Sequence, residues 1–241
     1  MKSYPLPAAV DRTLSPGDAM NQGNIEHYFA TGESALGVIL AAASLAQVPA
    51  PTTILDFGAG AGRVTRWLKA AFPGSQIHGC DVRESDMAFL RSGLGVVAWT
   101  VGTNVDALVF PSRYDLIWVG SVITHLSELG TQSLMDKLAS SLNPGGLLVV
   151  SFHGRHVIQR RDSGAVEARY IHDEAWAEIK SGYAASGYGY ADYLDQPGYG
   201  ISVASVPWMV NLTNALGGRL VLLSERAWDN HHDVIVIQKA N

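Results

Sequence analysis

The stretch Thr52–Leu68, TTILDFGAGAGRVTRWL, reads as a strand, a glycine turn and a helix. Thr53, Ile54 and Leu55 are apolar or β-branched, as a buried parallel strand requires, and the run stops at Asp56-Phe57-Gly58-Ala59-Gly60-Ala61-Gly62. Helical spacing follows, with Val64, Trp67, Leu68 and Ala71 on one face and Arg63, Arg66 and Lys69 elsewhere. Glycines at alternate positions let the backbone turn tightly and bring a ligand against bare main chain at a helix start.

The dinucleotide fingerprint G-x-G-x-x-G needs a third small residue so that helix and strand pack closely. Counting from Gly58 that place holds Arg63, and counting from Gly60 it holds Thr65, so neither register fits. Asp56, two residues before the first glycine, would repel a pyrophosphate and suits a ligand carrying an amino group and a positive sulfur. A nicotinamide-dependent oxidoreductase is therefore the weaker reading.

At these residues the chain resembles the class I S-adenosylmethionine-dependent methyltransferases, whose first motif is an apolar strand running into D-x-G-x-G-x-G. The resemblance extends from about Ile54 to Ile237 in the order of elements. It implies an α/β, three-layer Rossmann-like fold with a seven-stranded, mostly parallel sheet of order 3-2-1-4-5-7-6. The last strand is antiparallel and helices cover both faces. It also implies S-adenosylmethionine as cofactor, with Asp56, Gly58, Ala59, Gly60 and Gly62 around its methionine end.

Composition sets the bounds. A chain of 241 residues, 47% hydrophobic and 16% charged, can bury a full core as one domain or one domain with an insertion. Its single cysteine, Cys80, permits no internal disulfide, and no signal-peptide core is evident, so the expected home is cytoplasmic. The longest apolar stretch, Ala35 to Ala46, falls short of the ~18 residues of a membrane span and reads as a packed helix. With a formal charge of −5 and no long basic run, the footprint of a general nucleic-acid binder is missing.

Residues 1–31 read as an arm or lid, and 32–241 as the methyltransferase domain with a Tyr/Gly-rich insertion at about 155–204. Tyr28 and Gly32 stand where such a lid would meet the cofactor; the alternative is that Tyr28 and Phe29 staple the next helix, Gly32 to Gln47, to the core. Gln76 to Val82 is a second buried strand. Asp81, 23 residues after Gly58, lies close to the ~20 expected of an acid that accepts from both ribose hydroxyls, with Val82 beside it. Capping the following helix is its other reading.

After a third strand, Val96 to Val101, the related enzymes often place an aspartate that accepts from the adenine amino group. Here that place is Asn104, whose amide oxygen can also accept, with Val105 adjacent and Asp106 as a rival. Tyr114 to Val119 forms a fourth strand, ending at Gly120-Ser121. The family's Asn/Asp-Pro-Pro-Tyr stretch for planar amines is missing there, and Ser121 is left to flank the cofactor. His125 is a candidate base and equally a support for the turn before the Ser127 to Leu142 helix. A fifth strand, Leu147 to Phe152, follows the Asn143-Pro144-Gly145-Gly146 turn.

His153, Arg155, His156, Arg160 and Arg161 cluster past that strand and can hold an acidic group or form a solvated segment. The run SGYAASGYGYADYLDQPGYG, with Tyr183, Tyr188, Tyr190, Tyr193 and Tyr199, shows neither helical nor strand period. It reads as a long loop: substrate lid, oligomer contact or packing. Ser205 to Leu216 is a helix, and Leu220 to Leu223 and Asp233 to Ile237 are the last strands, with Trp228, His231 and His232 facing substrate. His231-His232-Asp233 suggests a metal, but neighbours in a strand point to opposite faces, so none is expected.

The reading is methyl transfer from S-adenosylmethionine to oxygen or nitrogen of a small-molecule or saccharide acceptor. His125, His153 and His232 are the candidate bases. A subunit or scaffold that binds the cofactor without turnover is the rival.

Overall fold

In the computed structural model, which describes residues 6–165 and 170–240, nine strands and seven α-helices follow one another along the chain. They are α1 (Ile25–Ala46), β1 (Thr53–Phe57), α2 (Thr65–Ala71), β2 (Gln76–Asp81), α3 (Glu84–Gly93), β3 (Val97–Thr100), β4 (Tyr114–Val119), α4 (Glu128–Ser140) and β5 (Leu142–Phe152). Then come α5 (Arg155–Asp162), α6 (Asp173–Ser186), β6 (Tyr188–Tyr193), β7 (Gln196–Ala204), α7 (Val206–Ala215), β8 (Arg219–Trp228) and β9 (His232–Gln238). Short 3₁₀ turns, η1 (Val105–Ala107) and η2 (Ile123–His125), lead off β3 and β4.

Seven strands form one sheet in the order β3-β2-β1-β4-β5-β9-β8, and β9 runs antiparallel to both β5 and β8. With β8 and β9 as its sixth and seventh strands, this is the expected order. Side chains alternate across the sheet. Ile54, Leu116, Leu147 and Val149 enter one core with α1, α2 and α3, while Leu55, Ile117, Leu148 and Val150 enter another with α4 and α7. That parity makes the three layers, and the parallel pairing of β1 to β5 brings their carboxyl ends to one edge.

Several boundaries differ from the sequence reading. The first helix begins at Ile25 rather than Gly32, because Asn24 caps it by accepting from the His27 amide at 3.1 Å. Tyr28 and Gly32 therefore lie inside the helix. Tyr28 is buried edge-on to Phe29, and a Cβ on Gly32 would meet the Arg63 carbonyl at 2.4 Å and the Trp67 indole at 2.5 Å, so Gly32 lets α1 cross closely over α2. By length and composition α1 could span a membrane, but half of its apolar window is buried within the protein.

The aperiodic loop read across the Tyr-rich run is corrected: it holds the end of α6 and the β6–β7 hairpin. Tyr188, Tyr190 and Asp192 do alternate, but the interleaved glycines and alanine hide the period. With α5, these elements enclose a small core of Val157, Ile171, Trp176, Ile179, Ile201 and Val203. The hairpin docks beside α4 through Tyr188, whose hydroxyl meets Thr131 Oγ1 at 2.7 Å and donates to the Leu126 carbonyl at 2.8 Å. Residues 1–5 of the arm and 166–169 of the insertion lie outside the described residues.

Candidate active site

The glycine turn sits at the carboxyl end of β1. All three glycines have positive φ, +78° at Gly58, +50° at Gly60 and +84° at Gly62, a region other residues rarely enter. Their surroundings differ. A Cβ on Gly58 would strike Val122 at 2.4 Å and one on Gly62 would strike Leu94 at 2.6 Å, whereas one on Gly60 meets nothing within 4 Å. Gly58 and Gly62 are thus glycines for packing, while Gly60 faces an open cradle of bare backbone.

Asp81 closes this cradle from β2. Its Oδ2 accepts from the Gly60 amide at 2.9 Å and its Oδ1 from the Val82 amide at 2.7 Å, so the carboxylate is held side-on to the loop. Val82 next to it is 55% exposed, a flat apolar surface of the kind a base can cover. Asp56, only 2% exposed, accepts from the Thr65 hydroxyl at 2.6 Å, and burial pushes its carboxyl up to about 7. Thr65 therefore occupies the third-glycine place of the dinucleotide fingerprint with a role of its own.

Asn104 is exposed and spends its amide oxygen on capping η1, accepting from the Asp106 amide at 3.0 Å, with Val105 behind it. Asp106 itself lies exposed within η1. Ser121 is held at φ +57°, its amide donating to Ser151 Oγ at 2.8 Å. Gly120 before it has no room for a side chain, since a Cβ would fall 2.7 Å from the Trp118 indole nitrogen.

On the opposite wall the hairpin meets the main sheet. His125 Nδ1 lies 2.8 Å from the Gly200 carbonyl, and because a carbonyl only accepts, Nδ1 carries the proton and Nε2 keeps the lone pair. The ring stacks on Tyr199 at 4.9 Å with Tyr193 beyond it, and burial lowers its pKa. His153, buried at the end of β5, is fixed in the same way by the Ser202 carbonyl at 3.2 Å, and burial takes its imidazole down to about 3. His232 stacks on it at 5.0 Å and is also shifted well down by burial.

The geometric argument against neighbouring histidines acting together is corrected. His231 belongs to the turn before β9, its amide donating to the Trp228 carbonyl at 3.0 Å, so strand alternation does not govern it. His153, His231 and His232 converge. Trp228, expected to face substrate, is instead buried, with its indole nitrogen donating to the Thr31 carbonyl at 3.0 Å. Arg155 pairs with Glu225 at 2.7 Å and Arg161 with Asp173 at 2.9 Å. Those two cations are engaged within the protein.

Arg66, read from sequence as a residue off the apolar face, is 99% shielded and serves the site indirectly. Its guanidinium donates to the Asp11, Thr13, Ala61 and Gly62 carbonyls at 2.7–3.2 Å, tying the N-terminal arm to the glycine turn. Arg83 adds a second tie to the Gly17 carbonyl at 3.1 Å.

A methyltransferase-domain family model matches residues 55–148, the glycine turn through β5. Trans-aconitate 2-methyltransferase of Methylobacterium nodulans is 31% identical over 74% of this chain and 68% of its own length. The chain is a class I S-adenosylmethionine-dependent methyltransferase. N-terminal Xaa-Pro-Lys N-methyltransferase 1-B of Xenopus laevis is 32% identical over 41% of the chain and 46% of its own length. Among solved structures, DesVI of Streptomyces venezuelae superposes with a TM-score of 0.63 at 13% identity, covering 95% of this chain and all of that one. It is alike in fold. The methyltransferase uses S-adenosylmethionine, and the bare cradle at Gly60 with two carboxylates beside it suits that cationic, diol-bearing molecule.

Proposed function

We propose that this methyltransferase places the methyl group on an oxygen of a small, hydroxyl- or carboxyl-bearing acceptor held under the β6–β7 hairpin. S-adenosylmethionine, when bound, supplies a methyl on a sulfonium that is already an activated leaving group. The protein's share is alignment, exclusion of water and, for a hydroxyl, removal of a proton. Asp81 would accept from the ribose hydroxyls beside Val82, and Asn104, Val105 and Ser121 would flank the adenosine. Asp56 would draw the amino group toward Gly58, Ala59, Gly60 and Gly62.

The observation that carries the reading is His125. Its tautomer is fixed by Gly200, its Nε2 is the basic atom, and burial keeps it neutral between two tyrosines. A neutral amine or a carboxylate needs no base before attack, whereas a hydroxyl does, so His125 carries the hydroxyl arm of the reading. The roofing hairpin also favours an acceptor small enough to fit beneath it, and one relative's name gives such a molecule, the tricarboxylic acid trans-aconitate. The test is incubation with methyl-labelled S-adenosylmethionine and a panel of small acids, phenols, sugars, amines and a peptide. Label recovered on oxygen of a small molecule supports the proposal; label confined to amines or peptide overturns it.

A further inference from the structure

His153, His231 and His232 each offer one ring nitrogen, all within 4.8 Å of one another. They come from two elements: the end of β5, and the turn that opens its antiparallel partner β9. The His153 Nδ1 proton goes to the Ser202 carbonyl, which leaves Nε2 as the donor atom and fixes the ring, the usual support of a metal-ligating histidine. His232 is the anomaly. Both of its ring nitrogens are shut off from solvent and have no hydrogen-bond partner among the described residues, although a neutral imidazole carries one donor and one acceptor. Its packing on Trp228 at 4.7 Å explains where the ring lies and leaves its nitrogens unexplained.

We infer that His153, His231 and His232 form a binding site for one divalent metal ion of the zinc class. Three imidazoles with no thiolate suit zinc, cobalt, nickel or copper, and do not suit magnesium or calcium, which take oxygen ligands. Asp233 is turned elsewhere, its Oδ1 accepting from the Arg226 amide at 2.8 Å. Tetrahedral zinc at its normal bond length spaces imidazole nitrogens about 3.3 Å apart, so the widest pair closes by roughly 1.5 Å on binding. His231, half-buried in a turn, is the member with room to make that move. It exchanges one of two contacts, Tyr170 Oη at 3.0 Å or Arg160 Nη1 at 3.4 Å, for the metal.

Three protein ligands leave a fourth position open, the arrangement of metal sites that bind an exogenous oxygen. Use of that position to hold an acceptor oxygen rests on the proposed function; the site itself does not.

The experiment is a titration of tag-free, chelator-treated protein with zinc followed by elemental analysis, and with cobalt followed by its visible spectrum. One equivalent of zinc per chain and the strong bands of tetrahedral cobalt are expected, with at least tenfold weaker binding in His232→Gln and in His231→Gln. The second variant changes a turn residue, so it keeps a folded test available if His232→Gln does not fold. His156→Gln, a neighbour outside the cluster, retains full binding. No stoichiometric uptake by the natively folded protein, or wild-type uptake in a folded His231→Gln, overturns the inference. Neither readout involves methyl transfer, so failure of the acceptor reading and failure of the metal site are told apart.

Discussion

The Thr65 hydroxyl donates to Asp56 Oδ2 across 2.6 Å, the one side-chain hydrogen bond from the described residues to a carboxylate sealed in the core beneath the glycine turn. Burial raises the folded-state pKa to about 7, above the ordinary 3.8. This contribution to the ligand-free protein's stability is full below pH 3.8 and is lost as pH rises through about 7. A cationic amino group reverses the preference, because it favours the ionised acid. Affinity for S-adenosylmethionine is expected to tighten, by up to about tenfold per unit, as pH rises toward 7 and to level off above it. Calorimetry between pH 5.5 and 8 checks this, and Asp56→Asn should abolish the slope.

Asp81→Ala removes both the partner of the Gly60 amide and the proposed acceptor for the ribose hydroxyls. A lost hydrogen bond to a charged group is worth about 1.5–3 kcal/mol, so S-adenosylmethionine affinity should fall by about 10- to 100-fold. Equal affinity in variant and parent would mean that the ribose binds elsewhere.

His125→Ala should lower kcat by about 10²–10⁴-fold on a hydroxyl acceptor, with cofactor affinity unchanged. Burial lowers the His125 pKa, so the base stays neutral at pH 7 and the acid limb of the rate profile is expected below the ordinary value of 6.5. A stopped assay across pH 5 to 8 reads both effects.

Arg66→Met cuts the tie between arm and glycine turn. The expected result is a loss of about 2–3 kcal/mol in denaturant unfolding and faster protease cleavage near Asp11 to Thr13. Loss of stability without faster cleavage would show that the arm is held by other contacts.

Gly154→Ala would place a Cβ 1.8 Å from Asp233 Oδ2, and Gly154 is not in a left-handed conformation, so the cost is pure collision. Overpacking of this kind destabilises by about 1–3 kcal/mol, which thermal unfolding measures.

The features that could be read from sequence are those written in adjacent residues. Ile54 and Leu55 signal a strand buried on both faces, Gly58 to Gly62 signal the turn, and Asp81 follows at a spacing set by one helix and one strand. Ser127 and Ser205 each cap a helix from the position where their residue type predicts it. What escaped depends on distant partners. Arg66 reaches carbonyls 53 and 55 residues away, and nothing beside it in the chain points to Asp11 or Thr13. Histidines 153 and 231 meet only because β5 and β9 pair antiparallel, and the period-two rule misled because His231 lies in a turn. Asn24 is a sign legible in the sequence: a good capping residue eight positions before the expected helix start at Gly32.

The hairpin and its two helices carry their own small core and join the rest of the domain at the η2 turn, α4 and the end of β5, through Tyr188, Ser202 and the Gly200 and Ser202 carbonyls. The matched family region stops at residue 148, before that insertion begins. The cofactor cradle at Gly58 to Val82 and the candidate base His125 thus lie in the matched stretch, while the hairpin proposed to roof the acceptor lies after it. On the proposed reading, exchanging the roof alone would alter which acceptor fits beneath it and leave the cradle for the methyl donor untouched, a division of labour along the chain.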